Sequence, residues 1–355
     1  MARLTEVQAA VVSVPISGGL EMHIGSFASL DHVMVTLTTD EGLMGRGEAT
    51  VIPEFMSETL ADVVDGLHVL GGRLAGANPD DIRGIHELIE RALPGSRSVR
   101  AAVDEACHDL AGKGRGVPVW QLLGERCREQ VDCTWVIGLK SAEATVAEAV
   151  ARRAKGFHTF KIKVGEDDDE DLQKVKLVRE ALGPEAVIRL DANGAYEPDR
   201  ALRVFERLQR YDLEMIEQPC PAGELAGAAR IRRELGLKIL ADESVFSAAD
   251  ARRVIDAGAA DLVNIKIQKL GGLLPAREVA DLVERAGLGC VIGSCIEVGA
   301  GVAASAHFAV ACRSATAAAD LTAGLQLSEG GVSAAMFGCV GPSIHEPFGP
   351  GLGAS

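Results

Sequence analysis

Charged residues recur at the ends of short apolar runs through the middle of this chain, and their spacing limits the folds open to it. Lys163 closes Phe160-Lys161-Ile162-Lys163, Asp191 closes Val187-Ile188-Arg189-Leu190-Asp191, Glu217 closes Glu214-Met215-Ile216-Glu217, Asp242 closes Lys238-Ile239-Leu240-Ala241-Asp242, and Lys266 closes Val263-Asn264-Ile265-Lys266. The intervals are 191 − 163 = 28, 217 − 191 = 26, 242 − 217 = 25 and 266 − 242 = 24 residues. Each is close to the roughly 30 residues of a strand–helix–strand unit. Strand-like runs fall at 131–139, 157–164, 186–191, 213–217, 237–242, 262–267, 290–293 and 316–320, with helical periodicity between them at 142–155, 168–182, 248–257 and 274–286. Short apolar strands with little polar alternation suit a parallel sheet covered by helices. Eight of them predict a (β/α)8, TIM-type barrel in the α/β class.

Residues 1–125 do not share that rhythm. Alternating strands at 7–14, 32–39 and 43–49, with a turn at Asp40-Glu41-Gly42, predict a three-stranded meander. Helical periodicity follows at 56–74, 80–92 and 98–114, the last carrying Val99, Ala102, Val103, Ala106 and Leu110 on one face. This is an N-terminal α+β capping domain, followed by the barrel at 126–321. A glycine- and proline-bearing segment at 322–355 is expected to return and complete the cap. Residues 17–25 and 51–56, rich in groups that end regular structure, read as lid loops, with His23 and Phe55 as their substrate contacts.

A net charge of −15 argues against nucleic acid or an anionic membrane as partner and leaves a small-molecule substrate. The eight cysteines form no CxxC pair and no Cys/His cluster at zinc spacing, so they read as reduced core residues. With Glu6 where a signal peptide needs an apolar run, the cytoplasm is the expected compartment, and a homo-oligomer the expected assembly. The apolar run 288–311 is long enough to span a bilayer, but Glu297 near its middle and the Gly-Ser-Cys and Gly-Ala-Gly breaks mark it as barrel core.

In a barrel the C-terminal strand ends converge on one mouth. Asp191, Glu217 and Asp242 would meet there, and three carboxylates in a low-dielectric site repel by several kcal/mol unless protons or a hard divalent cation offset them. Oxygen-only ligands favour magnesium. Lys163 and Lys266 fall on opposite sides of the three acids. Lys161, two residues from Lys163 on the same strand face, is placed to depress its neighbour toward the range of a useful base.

Together Lys161-x-Lys163, Leu190-Asp191-Ala192-Asn193, Ile216-Glu217-Gln218-Pro219, Ala241-Asp242-Glu243-Ser244 and Asn264-Ile265-Lys266, with Gly47-Glu48 in the first domain, resemble the enolase superfamily and its muconate lactonizing enzyme subgroup. The resemblance covers nearly the whole chain. It implies magnesium on Asp191, Glu217 and Asp242, with manganese as a substitute. It implies Lys163 and Lys266 as the acid/base pair, aided by Lys161, in removing the proton beside a substrate carboxylate through an enediolate. Asn193 and Glu243 would support the metal-binding side chains from behind, Glu243 pointing off the pocket. Lysines on both faces favour a racemase or epimerase of a small amino-acid-derived carboxylate. The alternatives are a muconate-type cycloisomerase or a dehydratase acting by syn β-elimination, and, more distantly, a non-catalytic barrel protein. Dipeptide epimerases carry Asp-x-Asp on the eighth strand, whereas this chain has Asp320-Leu321-Thr322, half of that pattern. Trp135, Glu297 and Asp320 are the further candidates for substrate contact.

Overall fold

The computed structural model describes residues 2–23, 25–322, 342–345 and 349–353. Three antiparallel strands, β1 (Leu4–Met22), β2 (Gly25–Thr39) and β3 (Met44–Val51), form the predicted meander in the order β1-β2-β3. The first two run further than their alternation suggests. After a register shift between Pro15 and Leu20 the ladder resumes with Leu20 opposite Phe27 and Met22 opposite Gly25. The expected lid loop at 17–25 is therefore the end of a long hairpin. Leu20 and Phe27 pack there with Val14, Ile16 and Leu30, which gives the extension an apolar reason to form.

Helices follow at Leu60–Leu74, Ile82–Ala92 and Arg97–Arg115. The first begins in a reciprocal cap, Thr59 accepting the Asp62 amide while the Asp62 carboxylate accepts the Thr59 amide. The third is buried along most of its length. β3 lies so close to it that a Cβ at Gly47 would come within 1.8 Å of the Ala102 carbonyl oxygen. Its polar residues tie the molecule together. Asp104 accepts the amides of Leu273 at 2.6 Å and Leu274 at 3.3 Å, at the start of a barrel helix, Leu273–Arg285. Glu105 accepts the Glu48 amide at 2.9 Å. Asp109 accepts Arg46 N at 2.9 Å and Leu352 N, from the tail, at 2.8 Å.

Beyond the linker come β4 (Gln130–Asp132), β5 (Thr134–Ile137), β6 (Thr159–Lys163), β7 (Val187–Asp191), β8 (Leu213–Glu217), β9 (Ile239–Ala241), β10 (Leu262–Ile265) and β11 (Gly289–Ile292). β5 to β11 form one sheet in sequence order, every neighbouring pair parallel. The eighth position differs from expectation: 315–319 makes isolated bridges, Ala315 to Cys290 and Ala319 to Cys133, and no continuous ladder. Its Ala-Thr-Ala-Ala-Ala sequence offers few side chains that pack on a pleated surface. Thr134 N donates to Ala319 O at 2.8 Å and Asp320 N to Ile292 O at 2.8 Å, so the segment closes the barrel.

The apolar run 288–311 becomes β11, a loop and the buried helix Ala300–Ala311, and among the described residues no helix is long and apolar enough to cross a membrane. Of the tail, β12 (Ser343–His345) pairs antiparallel with β4, and Gly351 exchanges backbone hydrogen bonds with Val117 and Val119 at 2.9 Å each. The remainder of its expected return path, at 323–341, 346–348 and 354–355, lies outside the described residues.

Candidate active site

On β6 the strand alternation turns Lys161 and Lys163 into the barrel, while Phe160 and Ile162 join the apolar layer outside. In the ladder Lys163 stands opposite Asp191, and Asp191 opposite Glu217, so three charged strand ends are side by side. Lys163 Nζ lies 2.7 Å from Asp191 Oδ2 and 2.6 Å from Asn193 Oδ1. Lys161 Nζ lies 2.9 Å from Glu217 Oε2, 2.6 Å from Asp320 Oδ2 and 3.5 Å from Asp191 Oδ2. Across the mouth, Lys266 Nζ meets Asp242 Oδ2 at 2.7 Å.

Two participants escaped the sequence reading. Lys269, wholly buried, donates to Asp242 Oδ1 at 2.7 Å, Asp242 O at 2.8 Å and Asn264 O at 2.9 Å. Asn264 Nδ2 donates to Glu217 Oε1 at 2.7 Å. Both had a signal. Lys266-Ile267-Gln268-Lys269 has the one-turn spacing of the short helix Ile267–Leu270, and Asn264 shares the strand face of Lys266 two residues on.

The electrostatics follow from burial and pairing. Burial lowers the Lys161 ammonium's proton affinity, but Asp320, Glu217 and Asp191 outweigh it and hold the group well above an ordinary lysine. For Asp191 burial pushes up, and Lys163 and Lys161 bring the carboxylate below its usual range. Asp242 is likewise held low against burial by Lys266 and Lys269. Glu217 goes the other way, burial and the Asp191 charge pushing it up to about 8, and burial with Asp242 pushes Glu243 up to about 7. The backbone is strained at the same place: Asn193 at φ 42° and Gln218 at φ 36° both occupy the left-handed region.

These observations bear on a metal. Asp191, Glu217, Asp242, Glu243 and Asp320 bring five carboxyl groups together with the ammoniums of Lys161, Lys163, Lys266 and Lys269, and Arg189 Nη1 stands 3.6 Å from Asp320 Oδ1. Buried Asn264 Oδ1, Glu243 Oε2 and Asp320 Oδ1 lack a hydrogen-bond partner. Among the described residues no three acidic, histidine or cysteine side chains are drawn together as a ready ligand set; each of the three carboxylates points an oxygen at a lysine. The all-oxygen donor chemistry fits a hard divalent cation.

The remaining predicted residues divide. Phe55 reaches the site, its ring centroid 4.8 Å from Lys266 Nζ and 5.5 Å from the ring of Phe246. It sits on the one-turn helix Pro53–Met56, where a loop was expected. His23 docks the hairpin end on the barrel, its Nε2 donating to Val164 O at 2.8 Å. Asp320 is at the site through Lys161, but Thr322 gives its hydroxyl hydrogen to Thr134 O at 2.9 Å. Glu243 does not point away. Asp242 and Glu243 lie past the end of β9, where strand alternation no longer applies, and the Glu243 carboxylate takes Asn193 Nδ2 at 2.8 Å within charge range of Asp242 and Lys266.

Trp135 is misplaced by the sequence reading. It faces out of the barrel, donating to Glu148 Oε1 at 2.7 Å with Arg152 over its ring, because β5 alternation gives the interior to Thr134, whose hydroxyl meets Arg189 at 2.8 Å. Glu297 folds back on its own loop, accepting the Ser294 hydroxyl and the Cys295 amide, and faces the cap's Glu48 rather than the lysines.

Comparison with known proteins gives the family. The family model for the mandelate racemase/muconate lactonizing enzyme N-terminal domain matches residues 4–124, and the enolase C-terminal domain-like model matches residues 144–355. The hydrophobic dipeptide epimerase of Enterococcus faecalis is 34% identical over 335 residues, covering 93% of this chain and 94% of that one. The N-succinyl-L-Arg/Lys racemase of Bacillus cereus is 33% identical over 311 residues, covering 87% and 84%. The crystal structure of the E. faecalis dipeptide epimerase with Mg and the dipeptide L-Leu-L-Tyr superposes with a TM-score of 0.94 at 33% identity, covering 99% of both chains. The chain therefore belongs to the mandelate racemase/muconate lactonizing enzyme family of the enolase superfamily.

Proposed function

We propose that this isomerase inverts the carbon beside the carboxylate of a small amino-acid derivative, a dipeptide or an N-acylated amino acid. One observation carries the reading: Lys163 and Lys266 stand on opposite flanks of the Asp191, Glu217 and Asp242 row, so a substrate bound over the acids presents one face of its α-carbon to each lysine. Either lysine in its neutral form takes the α-hydrogen from its own face. The opposite lysine, as the ammonium, delivers a proton to the other face, and the configuration is inverted. Lys161, held protonated by Glu217 and Asp320, places a fixed positive charge where the substrate carboxylate gains negative charge.

Asp191, Glu217 and Asp242 are the residues that would hold magnesium, or manganese in its place, with Asn193 and Glu243 supporting them. The ion supplies Lewis-acid stabilisation of the substrate carboxylate. Phe55, with Phe246, walls the Lys266 side of the mouth. Asp320, the one acid of the eighth segment that reaches the site, is placed to meet a substrate amine or amide N–H. We place the enzyme in the cytoplasm, where the buried thiols of Cys107, Cys220, Cys290, Cys295 and Cys312 would stay reduced, and expect it to act as a homo-oligomer. Incubating dipeptides and N-succinyl amino acids in heavy water and following α-hydrogen exchange by mass spectrometry tests the proposal. Conversion of a substrate to an unsaturated or cyclised product, without α-exchange, would instead establish the dehydratase or cycloisomerase reading.

A further inference from the structure

The helix Ala300–Ala311 starts without a cap of its own, since its N-cap residue is Gly299 and the preceding sequence offers no side chain that bonds its first amides. The cap comes from the other domain. Glu48, on β3 and wholly buried, accepts Val298 N at 2.7 Å through Oε1 and Gly299 N at 2.7 Å and Gly301 N at 3.1 Å through Oε2. Oε1 also meets His32 Nδ1 at 2.9 Å. Burial pushes this carboxyl up, but His32 and the backbone donors outweigh it and keep it below the ordinary value, the state suited to a helix N-terminus.

The loop so held leads from the end of β11 to the mouth. A Cβ on Gly293 would come within 3.0 Å of Lys266 Cγ and 2.2 Å of Asn264 Oδ1, so the loop leaves the strand pressed against both. Ile296 is in the left-handed region at φ 66°, which a β-branched residue adopts only where its surroundings impose it. Ile296 and Val298 pack with Val14, Ile16, Leu20, Phe27, Ile52 and Phe55, residues of the lid hairpin and of the turn that places Phe55 over Lys266.

We propose that Glu48 is a positioning residue for one face of the reaction: by fixing Val298, Gly299 and Gly301 it seats the loop on which the Phe55 turn and Lys266 rest. Lys163, on β6 across the barrel, has no contact with this loop among the hydrogen bonds it makes. The proposal rests on the two-lysine reading above.

The test is Glu48→Gln, which keeps the shape but removes the charge. In heavy water, with L-Leu-L-Tyr and N-succinyl-L-arginine and their α-epimers as probes, the enantiomer served by Lys266 is identified by the exchange that survives in Lys163→Ala. In Glu48→Gln that exchange should fall about tenfold, while exchange through Lys163 changes less than about twofold. Amide hydrogen exchange at Val298, Gly299 and Gly301 should speed up in the same variant. Asp109→Asn, which removes the tie of the cap helix to Arg46 and to Leu352 of the tail, controls for general loosening and should leave the ratio of the two faces unchanged. Equal losses on both faces, or the same shift of ratio in Asp109→Asn, overturn the proposal. Absence of α-exchange in the wild type with every probe would defeat the two-lysine reading itself; unchanged amide exchange in Glu48→Gln would then defeat the positioning role of Glu48 separately.

Discussion

Lys163 and Lys266 occupy equivalent positions on opposite sides of the acid row, the first 2.7 Å from Asp191 Oδ2 and the second 2.7 Å from Asp242 Oδ2, with the strand of Glu217 between them. Each lysine is thus held by the acid nearest to it. If each serves one enantiomer, Lys163→Ala and Lys266→Ala should both lower racemisation by at least about 10³-fold, within the range for loss of a general acid or base. Each should still exchange the α-hydrogen of one enantiomer with solvent, and the two should differ in which one. Identical exchange selectivity in both variants would leave only one lysine as the proton carrier.

Lys269 is separated from substrate by Asp242, to which it gives two of its three hydrogen bonds. Lys269→Met should destabilise the fold by about 3–5 kcal/mol, the usual cost of leaving one partner of a buried ion pair behind. Urea unfolding reads this directly. A loss below about 1 kcal/mol would show that Lys266 alone satisfies Asp242.

How far the sequence could be read follows from what each signal depends on. The spacing of the charged strand ends set the barrel and brought Lys161, Lys163, Asp191, Glu217, Asp242 and Lys266 to one mouth, since strand period and the βα repeat are local properties of the chain. The errors arose where a neighbour decides. Trp135 is a candidate substrate contact in the sequence, yet its direction depends on where β5 begins its alternation, and Thr134 takes the interior. Glu243 was turned away by a strand rule applied beyond the strand. Residues 315–319 pair by single bridges, which no periodicity foretells. The ties of Glu48 and Asp104 to amides of the barrel join residues 250 and 169 positions apart, and nothing in the chain beside either carboxylate marks its partner.

The placement of Trp135 makes a prediction that separates core from specificity. Trp135→Ala should cost about 3–5 kcal/mol through the cavity left beside Phe157 and Arg152 while leaving the order of preferred substrates intact. Phe55→Ala should do the reverse, with a small stability change and an altered substrate profile. A reordered profile in Trp135→Ala would return that residue to the pocket.

Metal dependence can be read without turnover. Magnesium at 100 times its Kd should stabilise the wild type by about 2.7 kcal/mol, seen as a rise in Tm, and chelation should reverse it. Asp191→Asn, Glu217→Gln and Asp242→Asn should each blunt the rise, with manganese following magnesium throughout. An undiminished shift in all three variants would place the ion elsewhere.

His307 supplies a pH dependence remote from the lysine and carboxylate cluster. It is wholly buried in the helix Ala300–Ala311 and accepts the Trp120 amide through Nδ1 at 3.2 Å. Burial, opposed by a smaller pull from the Leu352 backbone, lowers its pKa from 6.5 to about 4. A depressed folded-state value contributes stability that is fully present above the unfolded pKa. As pH falls below 6.5 the unfolded chain takes up a proton that the folded protein refuses until about 4, so the contribution drains away across that window. At about 1.4 kcal/mol per unit the difference over the window is on the order of 3 kcal/mol. Urea unfolding at pH 7.5 and 4.5 should therefore show the wild type losing about 2–3 kcal/mol more than His307→Gln, which cannot titrate. Glu105, whose pKa burial and Glu48 push well up, contributes with the opposite sign, but it is present in both proteins and cancels in the comparison. Equal losses in the two proteins would mean that folded His307 accepts its proton as readily as the unfolded chain does.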